Sequence, residues 1–132
     1  MFTKEITFTD HSGEEVTRKF YFNLTEYEIA KINLIEDIKE LMAQDKDMAQ
    51  VLGAMERVMR NAVCRRVKND YLKNDHYADV FIASDAFSKL MLELMLDDDA
   101  AGKTSEMLKQ ILPANIRQQI AEDEAQNTKE KK

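Results

Sequence analysis

The sequence predicts an α+β, mainly α fold: an N-terminal antiparallel β-hairpin packed on a bundle of roughly four to five helices. Three observations carry this prediction. Apolar residues alternate at period two as far as Phe22, they recur at helical spacing from Glu26 almost to the end, and the period changes at a single point. That point is Phe20-Tyr21-Phe22-Asn23-Leu24-Thr25-Glu26-Tyr27-Glu28, where an aromatic strand runs without a linker into a helix start.

Phe2, Ile6 and Phe8 share one parity, with Lys4 interrupting, and Val16, Phe20 and Phe22 share another, so each run reads as a half-buried strand. Asp10-His11-Ser12-Gly13-Glu14 between them holds turn formers, and Gly13 is the residue best able to take positive φ. A loop of about three to five residues is expected, with the strands antiparallel. At Thr25 the hydroxyl can accept from the Glu28 N–H while the Glu28 carboxylate reaches back, which is a capping box, and Leu24 can pack on Ile29 as its hydrophobic staple. The junction is therefore assigned to Phe20, Phe22, Leu24, Thr25, Glu28 and Ile29. Asn23-Leu24-Thr25 also spells a glycosylation acceptor, but no hydrophobic leader precedes it and the capping reading is preferred.

Ile29, Ile32, Ile35, Ile38, Leu41 and Met42 recur at helical spacing with no glycine or proline over 26–42, which predicts one helix of about four to five turns covering the hairpin. After a polar break, Asp45 or Asp47 can cap a second and longest helix carrying Met48, Leu52, Met55, Met59, Ala62 and Val63, widened by Val51, Val58 and Val67 and running towards Tyr71. Gly53 lies inside it and is read as a point of close approach by another helix. Residues 69–84 give the weakest signal and read as a connection or helix end. Ser84 can cap a third helix bearing Phe87, Leu90, Met91, Leu94 and Met95 and ending near Asp97. Asp98 or Asp99 can start a fourth with Met107, Leu108, Ile111 and Leu112, and Pro113 permits a short final helix through Ile116 and Ile120. Residues 122–132 contain Ala125 as their only apolar residue and read as a polar mobile tail.

A chain of 132 residues, 44% hydrophobic and 33% charged, is long enough for one modest core and too short for two. The expectation is a single domain over 1–121, with the hairpin at 2–23 and the helical body at 25–121. One cysteine, Cys64, excludes an internal disulfide, and the absence of a signal peptide or long apolar run suggests a soluble cytoplasmic protein without membrane contact. The net charge of −6 disfavours a general nucleic-acid binder. Arg57, Arg60, Arg65, Arg66, Lys68 and Lys73 crowd one region, whereas Glu93, Asp97, Asp98 and Asp99 form an acidic cluster. The two can meet across subunits, or pair within one, where exposed pairs contribute only about 0–1 kcal/mol each.

The catalytic inventory is thin. His11 falls in a turn and His76 in a polar connection, with no adjacent nucleophile, so solvated histidines are the reading. Asp75-His76-Tyr77-Ala78-Asp79 matches no strong metal motif, and Asp97-Asp98-Asp99 lacks the glycine and distal glutamate of a calcium loop. Ala101-Gly102-Lys103-Thr104 ends like a phosphate loop, but the upstream glycine is Asp97. Cys64 reads as a small buried filler. No catalytic residue, cofactor or metal is assigned. Eight methionines suit either core filling or a surface accepting several partner shapes, and Met91 and Met95 are the best candidates for exposure.

The hairpin, the Phe-Tyr-Phe-Asn-Leu-Thr-Glu transition at 20–26, and Ser84-Asp85-Ala86-Phe87-Ser88-Lys89-Leu90-Met91-Leu92-Glu93-Leu94 followed by acidic residues and Leu112-Pro113 resemble a tail assembly chaperone of long-tailed bacteriophages. The resemblance spans roughly residues 2–121. It implies a non-enzymatic protein of the host bacterial cytoplasm that binds the tape measure protein and keeps its long apolar helices soluble. It further implies that tail-tube subunits then polymerise around the tape measure, and that the chaperone is absent from the finished virion. The tail tube protein and a longer frameshifted form of the chain itself are further implied partners. Partner binding is assigned to Met91, Met95, Arg57, Arg60, Arg65, Arg66, Glu93, Asp97, Asp98 and Asp99. The opposed charge regions suggest head-to-tail self-association. Two readings from other classes are a DNA-linked phage regulator using the arginine region on phosphates, and a small structural tail subunit.

Overall fold

In the computed structural model, which describes residues 1–42, 47–96, 100–119 and 122, the fold is α+β and mainly α. Strands β1 (Phe2–Thr9) and β2 (Glu15–Phe22) form the N-terminal antiparallel hairpin, in register from Phe2↔Phe22 to Thr9↔Glu15. Its turn is built by two residues. The Asp10 carboxylate accepts from the N–H groups of Ser12 and Glu14 and from the Ser12 hydroxyl, and Gly13 takes a φ of 89° that side chains rarely adopt. Directly opposed residues share a face, so Ile6, Phe8, Phe20 and Phe22 all turn inward and are buried.

Thr25 caps α1 (Glu26–Lys31) through a complete capping box: its hydroxyl accepts from Glu28 N, and Glu28 Oε1 accepts from Thr25 N at 3.0 Å. The expected single helix over 26–42 is instead two, α1 and α2 (Ile35–Met42). Asn33 sits at a φ of 53°, one of the few conformations in which asparagine replaces glycine with little strain. Leu34 N–H bonds back to Ile29 O and Asn33 N–H to Ala30 O, and the two apolar side chains Ile29 and Leu34 are both buried. This is a complete Schellman stop. Leu34 also begins the next helix, since its carbonyl accepts from Ile38 N–H.

Helix α3 (Met48–Ala62) starts at Asp47, whose carboxylate accepts from Ala49 N–H. It ends earlier than the apolar pattern suggests: Val63 is already extended and opens β3 (Val63–Val67), followed by β4 (Asp70–Leu72). The sheet is thus four-stranded, in the order β1-β2-β3-β4, with Tyr21↔Cys64 and Phe22↔Val63 joining β2 to β3. Val63 and Val67 are β-branched, and the open edge of β2 offers backbone partners that a helix at this position would leave unmet. Asn74 caps α4 (Asp75–Ile82), accepting from Tyr77 N–H, within the segment the sequence left unassigned. Ser84 accepts from Phe87 N–H at the head of α5 (Asp85–Leu96), as its sequence predicts. Helix α6 (Ala100–Ile111) and a last helical stretch, 114–119, begun by Ile116 and Arg117 N–H bonds to the Pro113 carbonyl, complete the described chain. Seven helices result among the described residues, against roughly four to five predicted, because one expected helix is split and α4 is added. The caps proposed at Asp98 and Asp99, Ile120, and the tail apart from Glu122 lie outside the described residues.

The six phenylalanines form one chain of ring contacts at the centre. Phe81 of α4 touches Phe20 and Phe22 of the sheet and Phe87 of α5, with centroids 5.0, 5.6 and 5.6 Å away. The strand-to-helix junction is fixed by backbone as well: Asn23 N–H bonds to Ala62 O and Leu24 N–H to Ile111 O, so it is held to the ends of α3 and α6. Lys73, between β4 and α4, donates to both Glu28 oxygens, 2.7 and 2.8 Å.

That last contact gives the junction a pH dependence. Burial raises the Glu28 carboxyl, but the Lys73 ammonium and the Thr25 N–H and hydroxyl outweigh it and hold the group below the ordinary value of 4.5. A depressed folded-state pKa contributes stability that is present above 4.5 and lost as pH falls through the lower folded value. Thermal melts across the acid range are expected to show a shallower fall for Glu28→Gln than for the native chain. Parallel curves would contradict this.

Candidate functional site

The amino-terminal half of α3 and the length of α5 run beside each other with a gap between them. On α3, Met48, Leu52 and Glu56 form one row and Ala49 and Gly53 the next; on α5, Phe87, Met91 and Met95 form one row and Ser88 and Leu92 the next. Facing rows of this kind normally interlock. Here they leave an open groove of about 700 Å³. Gly53 is the reason on the α3 side. A Cβ built at this position would meet nothing within 4 Å, so no helix approaches closely there and the expected packing role is not what the structure shows.

The groove is apolar in character. Met48, Leu52 and Leu92 are 51%, 41% and 56% exposed, while Met91 forms floor. Of the two methionines expected at the surface, Met91 is buried and Met95 half-buried; the exposed apolar residue of that helix is Leu92, one position further round. Glu56 is the one ionisable group in the lining, and it lies near Arg60 at 3.9 Å. Such a surface can desolvate apolar side chains.

The charged residues singled out in the sequence are distributed as follows. Arg57 reaches from α3 to the buried Asp37 of α2, donating from Nε at 2.9 Å. Arg60 pairs with Asp79 of α4, and Lys73 with Glu28. Glu93 is met by Lys4 of β1 at 2.7 Å and by Lys103 of α6 at 3.7 Å. These four therefore have partners within the chain. Arg65 and Arg66 lie on β3 rather than on a helix, both exposed, with Arg66 donating to Lys68 O. A hydrogen bond to the Tyr21 hydroxyl pushes the Arg66 guanidinium pKa further up. Asp97, Asp98 and Asp99 lie outside the described residues.

Cys64 is buried, with its sulfur donating to Tyr21 O at 3.5 Å, and burial pushes the thiol up, away from thiolate chemistry. His11 stands in the hairpin turn and His76 at the start of α4. Gly102, Lys103 and Thr104 fall inside α6, where the Thr104 hydroxyl donates to Leu94 O.

Residues that the sequence reading passed over include Phe81, the centre of the ring cluster, and Leu92. Phe81 had a usable signal: Asn74 followed by Tyr77, Phe81 and Ile82 has a cap and helical spacing. A family described as phage tail assembly chaperone has a model that matches residues 1–132, the entire chain. Neither a curated protein nor a solved structure matches.

Proposed function

The chain belongs to the phage tail assembly chaperone family, and from that membership we propose that it binds the tape measure protein and keeps it soluble. Tail-tube subunits then polymerise around the tape measure, and the chaperone leaves before the virion is complete. The role is non-enzymatic and is exercised in the host cytoplasm; among the described residues no helix is long and apolar enough to cross a membrane.

The observation that carries this reading is the unfilled groove between α3 and α5. An amphipathic helix laid there would cover Met48, Leu52 and Leu92, each already partly shielded, for a gain on the order of 3–5 kcal/mol on the groove side, with a similar amount from its own apolar face. Association itself costs about 4–15 kcal/mol. One copy therefore holds one segment weakly, and a long ligand is retained only by several copies acting together. That requirement suits a tape measure, whose length presents repeated apolar helices. Head-to-tail contacts between neighbouring copies would align the grooves along it. Arg65 and Arg66 are the arginines left to such a contact, facing the acidic region at 93–99 on the next copy. The tail tube protein and a longer frameshifted form of this chain are the remaining proposed partners.

Co-expression tests the reading. The tape measure encoded beside this chain is expected in the soluble fraction only when the chain is present. A tape measure that stays soluble alone would contradict it.

A further inference from the structure

Three cations occupy positions of the sheet that belong, by parity, to its inward face. Lys4 lies opposite Phe20, Arg18 opposite Ile6, and Arg65 two residues beyond the buried Val63 that pairs with Phe22. Lys4 is answered by Glu93. Arg18 and Arg65 are exposed, and no ion pair among the described residues reaches either of them.

Both arginines face a second groove, of about 520 Å³, between the far end of the hairpin and α4. Phe8, Phe20 and Phe81 supply its apolar base; Tyr77 and Val80, the latter 45% exposed, form the opposite wall. The Arg18 guanidinium stands over the Phe8 ring at 5.9 Å, an arrangement that leaves its N–H edge available. Burial pushes the pKa of the half-buried Tyr77 hydroxyl up, and the nearby charges of Arg65 and Arg18 offset only part of that rise. Lys19 adds a third positive charge to the lining.

Inward-facing sheet positions are normally apolar, and a charge there is met by a partner or left to solvent. Glu93 meets Lys4, whereas Arg18 has only the longer-range attraction of Asp10 and, like Arg65, keeps its N–H groups towards solvent. We propose that this second groove docks an acidic protein segment bearing an aromatic or aliphatic anchor. The anchor lies against Phe20, Tyr77 and Val80, and flanking carboxylates take the forked N–H edges of Arg18 and Arg65. Charge complementarity selects this occupant, because two guanidinium groups over an apolar base match paired carboxylates with a hydrophobic side chain between them. A nucleic-acid backbone fits less well. Asp10 and Asp85 stand in the same lining and repel any anion beside them, so the occupant's carboxylates must fall at Arg18 and Arg65, a placement that evenly spaced phosphates do not match. The inference does not rest on tape measure binding, and the groove is separate from the one between α3 and α5, the two meeting at Ser88.

The test uses the full chain and a short fluorescein-labelled peptide of alternating Glu and Phe, beside a counterpart with Gln for every Glu, followed by anisotropy. The acidic peptide is expected to bind about tenfold or more tightly than the neutral one, and to weaken with added salt. Arg18→Glu and Arg65→Glu are each expected to remove that preference with an unchanged circular dichroism spectrum. Arg18→Gln and Arg65→Gln give the same readout should a reversed charge disturb folding. Gly53→Leu is expected to leave it intact, which separates this site from the tape measure groove. Equal affinity for the two peptides, native affinity in the arginine variants, tighter binding of a labelled single-stranded RNA, or a self-association that the Arg18 variants abolish would each overturn the proposal.

Discussion

Replacing Phe81 with alanine is expected to destabilise the chain by about 3–5 kcal/mol, the largest effect of any single truncation. The ring is 2% exposed and touches Phe20, Phe22 and Phe87, so it joins the sheet, α4 and α5 at one point. Its removal leaves a cavity that three other rings line, and their rotamers are set by the surrounding elements rather than free to collapse inward. Marginal stability for a chain of this size is about 5–15 kcal/mol, so the loss runs from about a fifth of the total to all of it. Phe81→Leu is expected to lose much less, because it keeps apolar bulk and forfeits chiefly the ring–ring geometry, about 0.5–1.5 kcal/mol per pair. Urea titrations with a constant slope measure both. A loss below about 1 kcal/mol for the alanine variant would mean the ring cluster does not hold the elements together.

Gly53→Leu is expected to do two opposite things. A glycine in a helix interior is less favourable than alanine by about 0.5–1 kcal/mol, and leucine is nearly as good a helix former as alanine. Since a Cβ at this position meets nothing within 4 Å, the replacement is expected to raise the melting temperature. The added side chain projects into the groove between α3 and α5, and partner affinity is expected to fall about tenfold or more as the apolar seat is filled. Few substitutions separate fold from function this cleanly. A variant that melts higher and binds as before would move the site elsewhere, whereas one that melts lower would show the space to be less open than it is.

The parts of this architecture that depend on near neighbours were legible in the residues. The alternation of Phe20 and Phe22, the Gly13 turn, the Thr25 and Glu28 capping box and the Ser84 helix start all follow from chemistry within a few positions, and all are present. The break at Asn33 was hidden because Ile29, Ile32, Ile35 and Ile38 keep helical spacing straight through the stop, while Leu34, whose N–H closes it onto the Ile29 carbonyl, lies outside that series. Val63 to Val67 were misread because their state is decided by pairing with β2, some forty residues away, a tertiary influence that overrides a helical stripe. Separation in sequence likewise conceals Arg57 with Asp37, Arg60 with Asp79 and Lys4 with Glu93. For the groove, the glycine was visible but the empty space beside it was not. Leu92 was passed over for Met91 because a broad stripe on α5 does not reveal which edge is left uncovered. Arg18 did carry a signal, as a charge at an apolar parity position.

The central claim is that the space between α3 and α5 holds the apolar helices of the tape measure. The measurement that reaches it most directly is the soluble yield of tape measure when it is co-expressed with the native chain and, separately, with Gly53→Leu at equal level. High yield with the first and aggregation with the second, from a variant that is folded and melts no lower, is the result this account predicts. Equal soluble yields would contradict it.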